Sequence, residues 1–268
     1  MKKLIIIIVA ASLILIARDH SYAEAINNGR DITRPLARFD MSYEYQDMLK
    51  GHAENTFTIR TDKPFCMAPG WQIALRADLP CVLTNKITSS EPGKDFNFGL
   101  GDVLTQILLV RNEGDFWAFA AGTQLIFPTG STTQMGNGKY QAVPTFGVRR
   151  MLPEISEGSF FGFLARYAVD YAGSASRQHI STIGVSPILN INFPEGWFIE
   201  TYPSQDIQVN FIDKGAVFIP FDIAVGKTKR DKYAVSLELA FPIYYNGQPS
   251  EYYTFYEFKT EAVVSIFF

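Results

Sequence analysis

The chain has 268 residues, a formal net charge of −3 and 47% hydrophobic residues. That length holds one large β domain or two small ones, and the weakly acidic balance, with no basic block, argues against a nucleic-acid partner. Two cysteines, Cys66 and Cys81, and three histidines, His20, His52 and His179, do not assemble a zinc-site spacing, so no metal or cofactor is expected.

In chain order, Lys2 and Lys3 precede an apolar run from Leu4 to Ala17, and Ser21-Tyr22-Ala23 comes next. This is the layout of a secretory signal peptide, residues 1–23, cut after Ala23. The apolar run is shorter than the ~20 residues of a membrane-spanning helix. Residues 24–50 contain "RFDMSYEYQDMLKG" and read as a short helix, an extra strand or a loose segment that plugs the domain after it.

From residue 51 to 268 no helix-period segment appears. Alternating runs of about ten residues recur instead, as period 2 requires of strands. "WQIALRADL" sets Trp71, Ile73, Leu75 and Ala77 against Gln72, Arg76 and Asp78, and "FWAFAAGTQLIF" sets Trp117, Phe119 and Leu125 against Ala118, Ala120 and Gln124. "FFGFLARYAVDY", "AVFIPFDIAVGK" and "YAVSLELAF" behave alike. Turn residues punctuate the runs at "NEGD", "PEG", "DKG" and the charged "KTKRDK" of 227–232. The sequence therefore predicts an all-β, antiparallel, up-and-down arrangement of about twelve strands. The count turns on Trp197 to Phe211. If Pro203 only bulges one long strand there, the segment near Tyr43 must supply another, because bacterial barrels have even strand numbers. A disulfide suits an exported chain, but a turn at Pro69-Gly70 would carry Cys81 well past Cys66.

Alternation alone does not say which face meets what. In a secreted sandwich the apolar face is inside, and in a transmembrane barrel it is outside. Three features favour the barrel. The runs exceed the ~5–6 residues usual in globular sheets. Their apolar faces end in Trp71, Trp117, Tyr140, Tyr171, Trp197, Tyr233 and Phe268, as interfacial girdles do. The opposite faces mix charges with Gly and Ala, as a narrow lumen would. The expected partner is thus a lipid bilayer and the expected location the bacterial outer membrane.

The last strand, "YEFKTEAVVSIFF", carries Tyr256, Phe258, Val264, Ile266 and Phe268 on one face. This resembles the C-terminal signature of bacterial outer-membrane proteins, which implies recognition by the barrel-assembly machinery. "GLGDVLTQILL", "GTQLIFPTGS" with "GNGKYQAVPTFG", "GWFIETYPSQDIQVNF" and "FIPFDIAVGK" together resemble the outer-membrane, transporter-like family named after the phenol meta-degradation pathway. The resemblance runs from about residue 71 to the end. It implies a barrel and uptake of small, aromatic or hydrophobic solutes.

The residues expected to line the lumen and set selectivity are Arg76, Asp78, Asp102, Gln106, Arg149, Arg166, Asp170, Asp222, Glu238, Glu257, Lys259 and Glu261, with Arg60 and Gln124 beside them. Rings of charge select ions in pores, and paired charges brace closed barrels. Two functions are open: a channel or transporter-like barrel, or a structural or adhesive barrel with a salt-bridged, closed lumen. No enzyme is expected. His179 and Ser181 are two apart, but no nucleophile-elbow motif accompanies them.

Overall fold

A computed structural model describes residues 27–48, 51–86, 95–203, 207–212, 214–229, 232–246 and 256–268. The expected signal peptide lies outside the described residues. Among those residues there are fourteen strands, beginning with β1 (Arg38–Met48), β2 (His52–Ala68), β3 (Trp71–Thr84), β4 (Asn97–Leu100), β5 (Val103–Glu113), β6 (Trp117–Phe127) and β7 (Lys139–Met151). They continue with β8 (Phe160–Gly173), β9 (Ser181–Asn192), β10 (Trp197–Thr201), β11 (Ile207–Asn210), β12 (Ala216–Lys229), β13 (Tyr233–Tyr245) and β14 (Tyr256–Phe267).

These fourteen make twelve positions. β4 and β5 both pair with β3 and form one strand interrupted at Gly101-Asp102. β10 and β11 both lie between β9 and β12 and form one strand interrupted after Thr201. At that interruption Tyr202 takes a left-handed φ of 50°, and its hydroxyl donates to the Pro220 carbonyl at 3.0 Å. Residues 197–210 thus count once, and β1 supplies the twelfth strand. β1 pairs with β2 on one side and with β14 on the other, Arg38 opposite Phe267. Every pairing is antiparallel and the sheet closes into the expected up-and-down barrel.

The pleat sorts the side chains. Phe221 and Val225 on β12, Val235, Leu237 and Leu239 on β13, and Val264 and Ile266 on β14 are exposed on the outside. Between them, Ala224, Asp222, Ser236, Glu238, Ser265 and Lys259 are buried on the inside. A continuous apolar outer surface of this kind is unfavourable in water, and lipid removes that cost. Uninterrupted strands run from 11 to 17 residues, enough for the ~9–11 residues a tilted strand needs to cross a bilayer.

The two ends differ. The start of β1, the end of β14 and the connections at Pro69-Gly70, 114–116, 152–159 and 193–196 share one end, here the turn end. Gly70 sits at φ +74°, which the tight β2–β3 hairpin requires. The connections at 85–96, 128–138 and 174–180, the first two longer than those at the turn end, share the other, the loop end, with the short β1–β2 connection. Cys66 and Cys81 are free thiols. Cys66 lies opposite Gln72, whereas Cys81 lies opposite Phe57, nine positions further along β3. At ~3.3 Å per residue, the two sulfurs are far beyond disulfide reach.

Candidate functional site: the lumen and its N-terminal segment

Residues 27–37, ahead of β1, turn back into the turn end of the barrel. A compact turn shapes them: the Asp31 carboxylate accepts from the Thr33 N–H at 2.8 Å and from the Thr33 hydroxyl at 2.6 Å. Consecutive side chains then reach different walls. Arg30 lies 3.5 Å from Glu200 of β10 and donates to the Ser236 hydroxyl of β13. Asp31 lies 3.2 Å from Arg149 of β7, whose Nε also donates to the Thr33 hydroxyl at 3.0 Å. Ile32 packs on two small apolar clusters of the wall, one holding Leu108 and Val110, the other Phe160 and Leu164. It rests on Gly147, where a Cβ would lie 2.9 Å from the Ile32 Cδ1. The gap left there is about 10 Å³, so segment and wall are in contact.

Above this floor the charges divide by wall. β1, β2 and β3 carry an alternating network: Arg38 bonds Asp62 at 2.8 Å and lies 3.3 Å from Asp40, Arg60 lies 3.1 Å from Asp78, and Arg76 also pairs with Asp78. The next wall is acidic. Glu44 (β1), Glu261 (β14), Glu238 (β13), Asp222 (β12) and Glu200 (β10) place a carboxylate on each successive strand. Lys259 is fully buried among them, paired with Glu238 and 3.4 Å from Glu44. Burying these charges is tolerable only because they meet opposite ones.

The facing wall, β5 to β9, is dominated by amides and arginines. Gln124 donates to Gln106 at 2.8 Å. A cavity of about 250 Å³ opens toward the loop end, lined by Gln124, Gln141, Arg166, His179, Gln208 and Asn210 among others. Asp170 stands at its rim, 3.3 Å from Lys139, accepting from the Ile180 N–H at 2.7 Å and from His179 at 3.0 Å. Beside it, a second cavity of about 540 Å³ lies between the 128–138 and 174–180 connections.

Arg76, Asp78, Gln106, Arg149, Arg166, Asp170, Asp222, Glu238, Lys259 and Glu261 therefore stand on the inner face, though in separate groups rather than one ring. Three residues depart from the expected placement. Asp102 sits in the β4–β5 interruption, and its carboxylate accepts from the Gly130 N–H at 2.9 Å and the Asn137 N–H at 2.7 Å, so it clamps a loop. The register slips between Asp47 and Met48, opposite the Tyr256–Phe258 stretch, and this bulge exchanges faces. As a result Glu257 is exposed outside. Tyr256 is buried against Phe218, ring centroids 5.0 Å apart, while Phe258, Val264, Ile266 and Phe268 keep the outer face. Sequence reasoning missed Arg30, Asp31, Asp40, Glu44 and Glu200. The alternation of Asp40, Ser42 and Glu44 against Met41, Tyr43 and Tyr45 was the available signal for two of them.

A closed barrel with an apolar exterior and a charged lumen partly filled by its own N-terminal segment defines the class: a transmembrane β-barrel of outer-membrane type. The solved structures it resembles are of that class. An outer membrane channel from Pseudomonas putida F1 aligns with a TM-score of 0.67 at 12% identity, over 94% of this chain and 100% of that one. The NanC porin aligns with a TM-score of 0.55 at 9% identity, over 86% and 99%. No protein-family model matches the sequence, and no curated protein sequence does.

Proposed function

We propose that the protein is a narrow outer-membrane channel for small polar solutes, hydroxylated and carboxylated aromatic compounds among them, closed at the turn end by residues 27–34. The observation that carries this reading is the way the lumen is filled. Wall side chains leave a polar cavity at the loop end, and the turn end is stopped by a chain segment resting on Gly147 and bound through Arg30 and Asp31. Residues 27–34 take no part in the strand pairings, so they can leave without dismantling the wall. Amides and Arg166 around the cavity offer hydrogen bonds and a positive charge to hydroxyl and carboxylate groups, which suits small phenolic acids better than hydrocarbons. The aligned P. putida structure is described as a channel, which supports the same reading. The outward row Phe258, Val264, Ile266 and Phe268 serves assembly, and deletion of Phe268 should leave the chain unassembled in the periplasm. Normal outer-membrane levels of that truncation would count against this role.

The competing reading is a structural barrel with a permanently closed lumen, favoured by the fully buried Lys259–Glu238 pair. Single-channel recording of the refolded mature protein in planar bilayers separates the two. Discrete openings that a phenolic acid blocks are expected for the channel. Inserted but silent barrels, with or without residues 27–34, would select the structural reading.

A further inference from the structure

The charged "KTKRDK" run at 227–232 lies at the turn end of β12, and its first two lysines point out of the barrel. On β12 the outward row is Phe221, Ile223, Val225, Lys227 and Lys229, so an apolar stripe ends in two cations at the turn end. Aromatic residues stand across from both. Trp197 of β10 is opposite Lys227, with the ammonium 5.0 Å from the ring centroid, and Tyr233 of β13 is opposite Lys229. Trp197 and Tyr233 are 47% and 44% exposed on this outer face.

The other two tryptophans share the turn end and also face cations, Trp71 opposite Arg111 and Trp117 opposite Arg150. Those cations are already neutralised: Arg111 lies 3.1 Å from Glu113 and Arg150 lies 2.9 Å from Glu154. Among the described residues, neither Lys227 nor Lys229 has a carboxylate partner. At the loop end of the same strands the outward residues are Val217, Ile219, Ile243 and Tyr244, with no cation.

Two ammonium groups without a carboxylate, ~7 Å apart on one strand face and bordered by interfacial aromatics, are matched by a phosphodiester at the headgroup level of a bilayer. We propose that Lys227 and Lys229, between Trp197 and Tyr233, form a binding site for the phosphate of an anionic phospholipid in the leaflet at the turn end. The inference needs the membrane-barrel reading but not the channel reading. The ring of Trp197 lies along the lipid glycerol region, and the two lysines hold the phosphate below it. Short turns mark the periplasmic end of outer-membrane barrels, so the leaflet is the phospholipid one.

The test uses the full mature chain carrying W71F and W117F, which leaves Trp197 as the only tryptophan of three. It is reconstituted into phosphatidylcholine vesicles, and Trp197 fluorescence is titrated with brominated phosphatidylglycerol or brominated phosphatidylcholine. Phosphatidylglycerol should quench at a several-fold lower mole fraction, about fivefold for each cation engaged. K227Q/K229Q should bring the two lipids together, with folding verified by the gel shift between heated and unheated samples. R111Q, on the far wall, should keep the preference, and soluble inorganic phosphate should not compete. Equal quenching by both lipids in the parent protein would overturn the site, as would equal loss of preference in R111Q. Absence of quenching by either lipid would overturn the site and the membrane reading together.

Discussion

The turn-end and loop-end halves of the lumen are filled by different means. At the turn end a separate chain segment fills the space, and its two charged residues each find a partner of opposite sign on a different wall, Arg30 on Glu200 and Asp31 on Arg149. At the loop end the wall itself narrows the passage, yet a cavity of about 250 Å³ remains between amides and Arg166. Halfway, Lys259 between Glu238 and Glu44 ties the neighbouring strands β13, β14 and β1 to one another. On the proposed channel reading, permeability is decided at one end: wall ion pairs hold the barrel's shape, and the removable element is the N-terminal segment.

The largest effect should come from removing that element. Deleting residues 27–34 should convert a mostly closed barrel into one with steady conductance in planar bilayers, with folded protein unchanged on gels. A silent deletion variant would move the barrier to the wall and erase the contrast between the two ends. Next, Lys259→Met leaves Glu238 and Glu44 buried without their shared cation, a loss of about 3–5 kcal/mol. It should lower the urea midpoint sharply while leaving residues 27–34 docked, so conductance per folded barrel should not rise. Arg149→Gln removes the partner of Asp31 without touching the acidic wall, so openings should become more frequent with a smaller stability loss than for Lys259→Met. Gly147→Ala pushes a methyl group toward Ile32, whose side-chain tip can give way, so a modest rise in open time is expected. Reducing agent should change neither mobility nor conductance, because Cys66 and Cys81 are free and far apart.

Much of this architecture was legible in the sequence because period-2 alternation is local. Trp71 to Ala77 or Tyr233 to Phe241 need no knowledge of the rest of the chain to read as two-faced strands. Inversion of those faces was legible only through aromatic ends and strand length. What could not be read is what depends on distant register. Arg30 meets Glu200 across 170 positions of sequence, and only barrel closure brings them together. The slip near Met48 reassigns Tyr256 and Glu257 although the alternation of "YEFKTEAVV" is unbroken, since a bulge leaves no mark in the pattern of apolar residues. Asp102 looked like a lumen charge because its neighbours Val103 to Glu113 alternate, but it sits in a break where backbone N–H groups of another connection claim it.

The pairing of β1 with β14 has a consequence in time. Arg38 faces Phe267, so the seam joins the first and last of the described strands, and its register cannot be tested until both are present. Contacts of such sequence separation form late and slowly. Residues 27–34 enter the chain ahead of the first seam strand, and Ile32 rests on β7 and β8, which precede β14 in the chain. The segment can therefore be seated while the sheet is still an open trough and enclosed as the last edge arrives. On that order of events, and on the proposed role of residues 27–34 as a stopper, the stopper is installed during manufacture.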